Sequence, residues 1–317
     1  MEKKIISVTL TMMLIASLLS FLNPSAAIAS DSFDLHLHTE EPKALPAEDG
    51  LLRIHQINIG CADAYLLTLG ETVVLVDCGS DITEPIALHY HNTPLFEYLG
   101  GSGIDHVDAH IVTHWHNDHD YNVNYIGEIY GRAETVVYGP SPALYDELQP
   151  LAAGSYQQMK EGDRLNIGGI DLLCISPAWK EIIPGDRNID SLNFIITYGK
   201  VRILFTGDYM QRTLLQRWKE EIDNIDIISF PHHGIRLNEV PVEVYKLVNP
   251  RLVLIPGNSY GEVRNFAIHT CYIGKNAVYL CGMDGHILCT TDGESIWYQT
   301  NVVPGTFPVG QMLPERE

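Results

Sequence analysis

Residues 107–113 read as a buried strand that runs straight into His114-Trp115-His116-Asn117-Asp118-His119, so three imidazoles and a carboxylate fall within six residues. A regular helix or strand cannot turn all four side chains one way. The segment must therefore be a loop that wraps something, and neutral imidazoles with carboxylates are the donor set for Zn²⁺ and similar borderline cations. Two later segments have the same form. Residues 201–205 run apolar into Thr206-Gly207-Asp208, and residues 225–230 into Pro231-His232-His233-Gly234. Taken alone, an Asp after Gly is more often a turn or a helix cap, and a lone His pair implies little. With the first cluster present, all three strand ends can converge on one site, which makes each a candidate ligand.

The elements that must position these residues follow from hydrophobic periodicity. The pattern predicts strands over residues 51–59, 64–69, 72–76, 107–113, 135–138, 170–175, 194–198, 201–205, 225–230, 252–255, 277–280, 286–290 and 295–298, with Gly70-Glu71 turning a hairpin. Helices are predicted over residues 85–99, 121–130, 211–221 and 239–247. Hairpins mixed with helices indicate a layered α/β or α+β architecture. With no internal linker in view, the expectation is one domain over residues 51–300, a lead-in over 30–50 that is acidic and flexible, and a C-terminal tail over 301–317.

Together these segments resemble the metallo-β-lactamase superfamily, and within it the hydrolase domain of bacterial competence-type DNA-uptake proteins and the choline-binding phosphorylcholine esterases. Besides His114-x-His116-x-Asp118-His119, the similarity takes in Ile57-Asn58-Ile59-Gly60-Cys61-Ala62-Asp63-Ala64, Leu75-Val76-Asp77-Cys78-Gly79, Ser191, Gly207-Asp208, His232-His233-Gly234 and Asp284-Gly285-His286. The resemblance implies a four-layer αββα sandwich holding two divalent metal ions, zinc first with manganese or iron as alternatives. It implies His114 and His116 on one metal, Asp118 and His119 on the second, and Asp208 bridging. His232 would be the later His ligand and His233 a candidate for the other metal, with Asp77 as a buried carboxylate that orders the ligand loop.

The chain also departs from that pattern. Many members place a further His ligand between the first cluster and the bridging Asp, yet residues 120–207 contain no His. Either one metal has fewer donors or His233 fills the place. The common Gly-Gly after the motif is Asp120-Tyr121-Asn122 here, which changes the floor of the cleft. Trp115, with Asn258 and Tyr260 in Pro256-Gly257-Asn258-Ser259-Tyr260-Gly261, are candidates to contact substrate.

Two such cations would acidify a shared water, and Asp118 would orient it and take its proton. The resemblance points to phosphoester hydrolysis, foremost of a phosphodiester. The same metal pair could instead hydrolyse an ester, thioester or lactam, and a metal-binding, wall-associated module without turnover is a reading from another class.

Composition bounds the partners. At 45% hydrophobic and 19% charged residues the chain has ordinary globular usage rather than that of a disordered one. Its net charge is −20, a field that repels polyanions. A small-molecule or cell-wall phosphoester therefore suits it better than DNA. The N-terminus reads Met1-Glu2-Lys3-Lys4, then an apolar run over residues 5–22, then Ala27-Ile28-Ala29. This is the pattern of a cleaved signal peptide over residues 1–29, implying a secreted protein with no stable membrane anchor. Six cysteines remain after it, Cys61, Cys78, Cys174, Cys271, Cys281 and Cys289, compatible either with disulfides or with buried thiols.

Overall fold

A computed structural model describes residues 50–80, 93–140, 154–177, 188–210, 212–234, 242–257, 277–306 and 310–315. The expected leader and nearly all of the expected lead-in, Asn258, Tyr260, Cys271 and the first parts of the helices expected at 85–99 and 239–247 lie outside the described residues. All described residues belong to one compact unit, Thr39–Glu317.

The first sheet begins as a meander of β1 (Leu52–Gln56), β2 (Tyr65–Leu69) and β3 (Thr72–Val76). Gly70 turns the β2–β3 hairpin at φ 58°, a left-handed conformation that only glycine adopts without cost. Helix α1 (Thr93–Gly101) then leads to β4 (Val107–Ile111), which pairs parallel to β3. The short α2 (Asn117–Asp120) and α3 (Val123–Tyr130) follow, then β5 (Gly131–Gly139) and β6 (Ser155–Gln158), both parallel additions. The second sheet is built from β7 (Arg164–Ile167), β8 (Ile170–Ser176), β9 (Asn193–Tyr198), β10 (Val201–Phe205), β11 (Ile227–Ser229), β12 (Leu252–Ile255) and β13 (Ala277–Leu280). Helices α4 (Leu214–Arg217), α5 (Lys219–Ile222) and α6 (Val242–Val248) lie between its parallel strands β10, β11 and β12 in sequence. After α7 (Cys281–Asp284), the chain returns to the first sheet with β14 (Ile287–Thr291), β15 (Ile296–Gln299) and β16 (Gln311–Met312). The strand orders are β16-β15-β14-β1-β2-β3-β4-β5-β6 and β13-β12-β11-β10-β9-β8-β7.

Three apolar clusters show how these elements stack. Successive strand residues face opposite sides of a sheet, and Val74 and Val76 pack with Phe194, Ile203 and Leu252 in a cluster between the sheets. Their neighbours Val73 and Leu75 pack with Leu95 and Leu99 of α1 and Val123 and Ile126 of α3. On the far side of the second sheet, Leu204, Ile228 and Val253 pack with Leu214, Ile222, Val244 and Val248. The result is a four-layer αββα sandwich. Strands β3, β11 and β12 are covered on both faces, which is why their sequences are near-continuous apolar runs.

Several expectations are corrected. Within the expected C-terminal tail, the described residues are tied to the domain: β16 pairs with β15, Leu313 is buried in the central core, and the Arg251 guanidinium donates to the Leu313 and Pro314 carbonyls. The helix expected at 121–130 starts at Val123, since buried Asn122 uses its side-chain amide to bind the Cys78 and Gly79 carbonyls. The helix expected at 211–221 breaks at Trp218, whose indole donates to Glu161. Cys61, Cys78, Cys174, Cys281 and Cys289 are all buried free thiols. Among the described residues no helix is long and apolar enough to cross a membrane.

Candidate metal centre

The candidate ligands gather at the carboxyl ends of parallel strands in both sheets, the edge at which open α/β sheets place their sites. Asp77 follows β3 with φ 54°, a left-handed conformation that is uncommon for a residue with a side chain. Its Oδ1 accepts from the Thr113 amide at 2.7 Å and its Oδ2 from the Thr113 hydroxyl at 2.7 Å, so Asp77 clamps the chain where it leaves β4. Three further amides hold the loop's carbonyls: Cys78 donates to His119, Ser80 to Asn117 and Asp63 to Asp118, at 2.8, 2.9 and 2.9 Å. The loop is thus set by backbone contacts with the β1–β2 and β3–α1 connections, and its His114, His116, Asp118 and His119 donors converge with Asp208.

Asp208, two residues beyond the Thr206 that follows β10, sits at the middle of the cluster and is 1% exposed. Its amide donates to the Ser191 hydroxyl at 3.0 Å. Oδ1 lies 3.0 Å from His119 Nε2 and 3.8 Å from His233 Nε2. Oδ2 lies 3.6 Å from His114 Nε2 and 3.4 Å from His232 Nε2. The donors of Asp118, His119, Asp208 and His233 lie within 4.8 Å of one another, and so do those of His114, His116 and Asp208. Two donor sets therefore share one carboxylate. His232 and His233 reach opposite oxygens because both are left-handed, with φ 54° and 51°. That conformation costs on the order of 1–3 kcal/mol per residue and is retained where surrounding structure enforces it. It leaves their rings at 79° to one another.

A model of the metallo-beta-lactamase superfamily matches residues 62–239, more than half of the chain and every residue of both donor sets. The chain belongs to the metallo-β-lactamase superfamily. Among solved structures it is similar to the metallo-β-lactamase fold protein YhfI from Bacillus subtilis, at 16% identity and a TM-score of 0.51, covering 72% of this chain and 97% of that one. It is also similar to Igni18, a metallo hydrolase from the archaeon Ignicoccus hospitalis, at 13% identity and a TM-score of 0.49, covering 74% and 98%. At 16% identity the likeness to YhfI shows the fold alone. No curated protein matches the chain.

The electrostatics of this superfamily member fit a bound cation pair. Burial opposes ionisation of Asp208, but the His119, His114 and His233 imidazoles outweigh it and hold the carboxyl well below the usual range. Burial disfavours the charged forms of His119 and His233 too, yet Asp208, helped by Asp77 and Asp118 respectively, raises both well above an ordinary imidazole. For His114 burial wins, aided by His119, and its proton affinity falls. Asp118 is ionised against the cost of its burial by the His233 hydrogen bond and the His119 charge. His119 Nε2 and Asp208 Oδ1 are buried and, although 3.0 Å apart, neither has a hydrogen-bond partner. Buried imidazole and carboxylate atoms that converge this closely without a well-directed hydrogen bond are what a divalent cation satisfies, so the residues present fit the two metals that the superfamily implies.

The departures from the superfamily's common pattern resolve locally. With no His in residues 120–207, His233 completes the set of Asp118, His119 and Asp208, while His232 faces the oxygen shared with His114. Asn122 is fully buried as a strut beneath the loop and does not line a cleft. Trp115 is likewise not placed to touch substrate. It is 3% exposed and packs among Val112, Val123 and Tyr156 behind the loop. Asp63 is the residue that sequence reasoning missed. Its Oδ1 lies 2.9 Å from His233 Nδ1, and burial raises its carboxyl to about 6. It lies in the connection before β2, and its partner is far along the chain, so no local spacing marks it.

Proposed function

We propose that the chain is an exported, binuclear metal-dependent phosphodiesterase acting on a small-molecule or cell-wall phosphoester. The observation that carries the reading is the division of Asp208, with Oδ1 turned to His119 and His233 and Oδ2 to His114 and His232. Five imidazoles with Asp118 and Asp208 form a donor set suited to Zn²⁺, with manganese or iron as alternatives. Two divalent cations held this way supply acidified water and neutralise charge on a phosphodiester.

The chain's own residues define the rest of the chemistry. Asp208 keeps the two donor sets in register, and its burial shuts out water that would loosen them. Asp77 and the amides of Cys78 and Ser80 fix the loop so that His114, His116 and His119 need not reorganise. Asp118 keeps 7% exposure at the site, where it would orient the attacking water and take its proton. The choice of phosphodiester over acyl substrate is supported by the likeness of residues 57–64, 75–79 and 232–234 to competence-type proteins and phosphorylcholine esterases. Export is supported by the pattern of residues 1–29, and the disfavouring of DNA by the net charge of −20.

The test is hydrolysis of bis-p-nitrophenyl phosphate and p-nitrophenylphosphorylcholine by the protein without its leader, with elemental analysis and an Asp208→Ala control. About two equivalents of metal with turnover abolished in the variant is the expected result. Two equivalents with hydrolysis of acyl esters alone would overturn the phosphodiester reading, and absence of metal would overturn the hydrolase.

A further inference from the structure

The segment Asp284-Gly285-His286 belongs to neither donor set, and its imidazole lies against another part of the chain. His286 Nδ1 accepts from the Asn58 amide at 3.0 Å. Two backbone bonds hold the segment itself, Asn301 donating to the Asp284 carbonyl at 2.8 Å and Val302 to the His286 carbonyl at 3.0 Å. Gly285 turns between them at φ 70°, where a Cβ would stand 2.6 Å from Asn301 Oδ1. The His286 ring packs on Tyr98 of α1, with centroids 4.5 Å apart, and the Tyr98 hydroxyl lies 2.8 Å from His55 Nδ1 of β1.

A backbone amide only donates, so His286 Nδ1 must carry a lone pair and the ring must be neutral, with its proton on Nε2. Protonation would turn one N–H against another. Burial favours the neutral ring and lowers its pKa below the ordinary imidazole value. Among the described residues, the titratable groups facing the ring are Tyr98 and, beyond it, His55, which burial also keeps neutral.

Asn58 lies at the start of the β1–β2 connection, which closes on itself where the Ile57 amide donates to the Ala64 carbonyl at 3.0 Å. At its far end the Asp63 amide donates to the Asp118 carbonyl at 2.9 Å, and the Asp63 carbonyl accepts from Gly79 at 3.0 Å. One short connection therefore joins the His286 imidazole to the backbone of Asp118.

We infer that His286 is a positioning residue, which holds the β1–β2 connection against the ligand loop by accepting the Asn58 amide and so keeps Asp118 in place. The inference rests on the metal-hydrolase reading proposed above. Because the hold needs a neutral imidazole, it is complete above the pKa of His286 and is lost as pH falls through it.

The experiment is NMR of the full chain, with chelator competition for Zn²⁺, on the wild type, His286→Ala and His286→Asn, whose side-chain oxygen replaces Nδ1 as acceptor. His286→Ala should speed exchange of the Asn58 amide by about 10-fold and weaken Zn²⁺ binding by about 2–10-fold. His286→Asn should recover both. In the wild type the Asn58 amide resonance should titrate with the His286 ring, at a midpoint below ~6.5, and in His286→Asn that titration should vanish. Unchanged exchange at Asn58 in His286→Ala, faster exchange with undiminished Zn²⁺ affinity, no recovery in His286→Asn, or a wild-type Asn58 resonance indifferent to His286 would each overturn the inference. None of these readouts uses turnover, so two bound metals without phosphodiester hydrolysis would overturn the proposed substrate alone. A wild-type chain that binds no metal would overturn both.

Discussion

Gly79→Ala tests how closely the ligand loop is seated. Gly79 donates to the Asp63 carbonyl, and a Cβ built there would overlap the Asp118 carbonyl group and stand 2.7 Å from the His119 amide nitrogen, where ordinary contact begins at 3.4 Å. All of these are backbone atoms, so no side-chain rotation relieves the overlap. The loop is itself tied down by Cys78 to His119 at 2.8 Å and His119 to His116 at 2.7 Å, so it can make room only by shifting as a unit, by about 1 Å or more. Overpacking of this kind costs about 1–3 kcal/mol, and each kcal/mol lowers Tm by about 2–4 °C in a domain of this size. A displacement of about 1 Å in groups that position the chemistry costs about 100-fold in rate. The assay is thermal unfolding, metal content by elemental analysis and phosphodiester turnover on one preparation. A variant with unchanged Tm, full metal content and undiminished turnover would refute the close approach of the β3–α1 connection to the loop.

Two more predictions rest on groups outside the centre. His55 and His110 are buried, and burial lowers each pKa to about 3. The folded values lie below the unfolded one, so this stability is present above pH ~6.5 and is lost as pH falls toward ~3, at about 1.4 kcal/mol per unit and group. In urea unfolding, the stability lost between pH ~7.5 and ~5 should therefore shrink by about 2 kcal/mol in His110→Gln, and an unchanged difference would contradict neutral burial. Trp115→Ala should lower stability by about 3–5 kcal/mol in chemical denaturation. It should also leave the ranking of the two nitrophenyl phosphodiesters unaltered, whereas wild-type stability with a raised KM would return Trp115 to the substrate site.

Strands with two buried faces wrote themselves into the sequence as apolar runs, and the ligands lay where those runs stopped. Residues 72–76, 201–205 and 252–255 were legible for this reason, as was the layered class they imply. What escaped was held by weaker or longer-range signals. Strands β6 and β7 alternate exposed and half-buried residues and carry little apolar density. Strand β16 is two residues long and owes its place to pairing with β15 and to burial of Leu313, neither of which leaves a periodic trace. Asp63 leaves no such trace, because its place beside His233 depends on a partner with which no local spacing connects it.

The adjacent pair His232-His233 shows how sequence can name residues without assigning them. Neighbouring residues on a strand face opposite sides, while on a right-handed helix they diverge by about 100°, and neither arrangement decides which histidine serves which metal. The assignment follows from the pair's left-handed backbone at φ 54° and 51°, entered directly from β11 through Pro231. In that conformation His233 turns inward to Asp63, Asp118 and the Pro256 carbonyl, while His232 faces the opposite oxygen of Asp208 from a more exposed position. The missing His of residues 120–207 thus leaves no deficit in the set of Asp118 and His119. His114, His116 and His232 build the other half, around the second oxygen of Asp208. The division of the pair between the two oxygens of Asp208 is a property of the fold that the His-His dipeptide alone could not reveal.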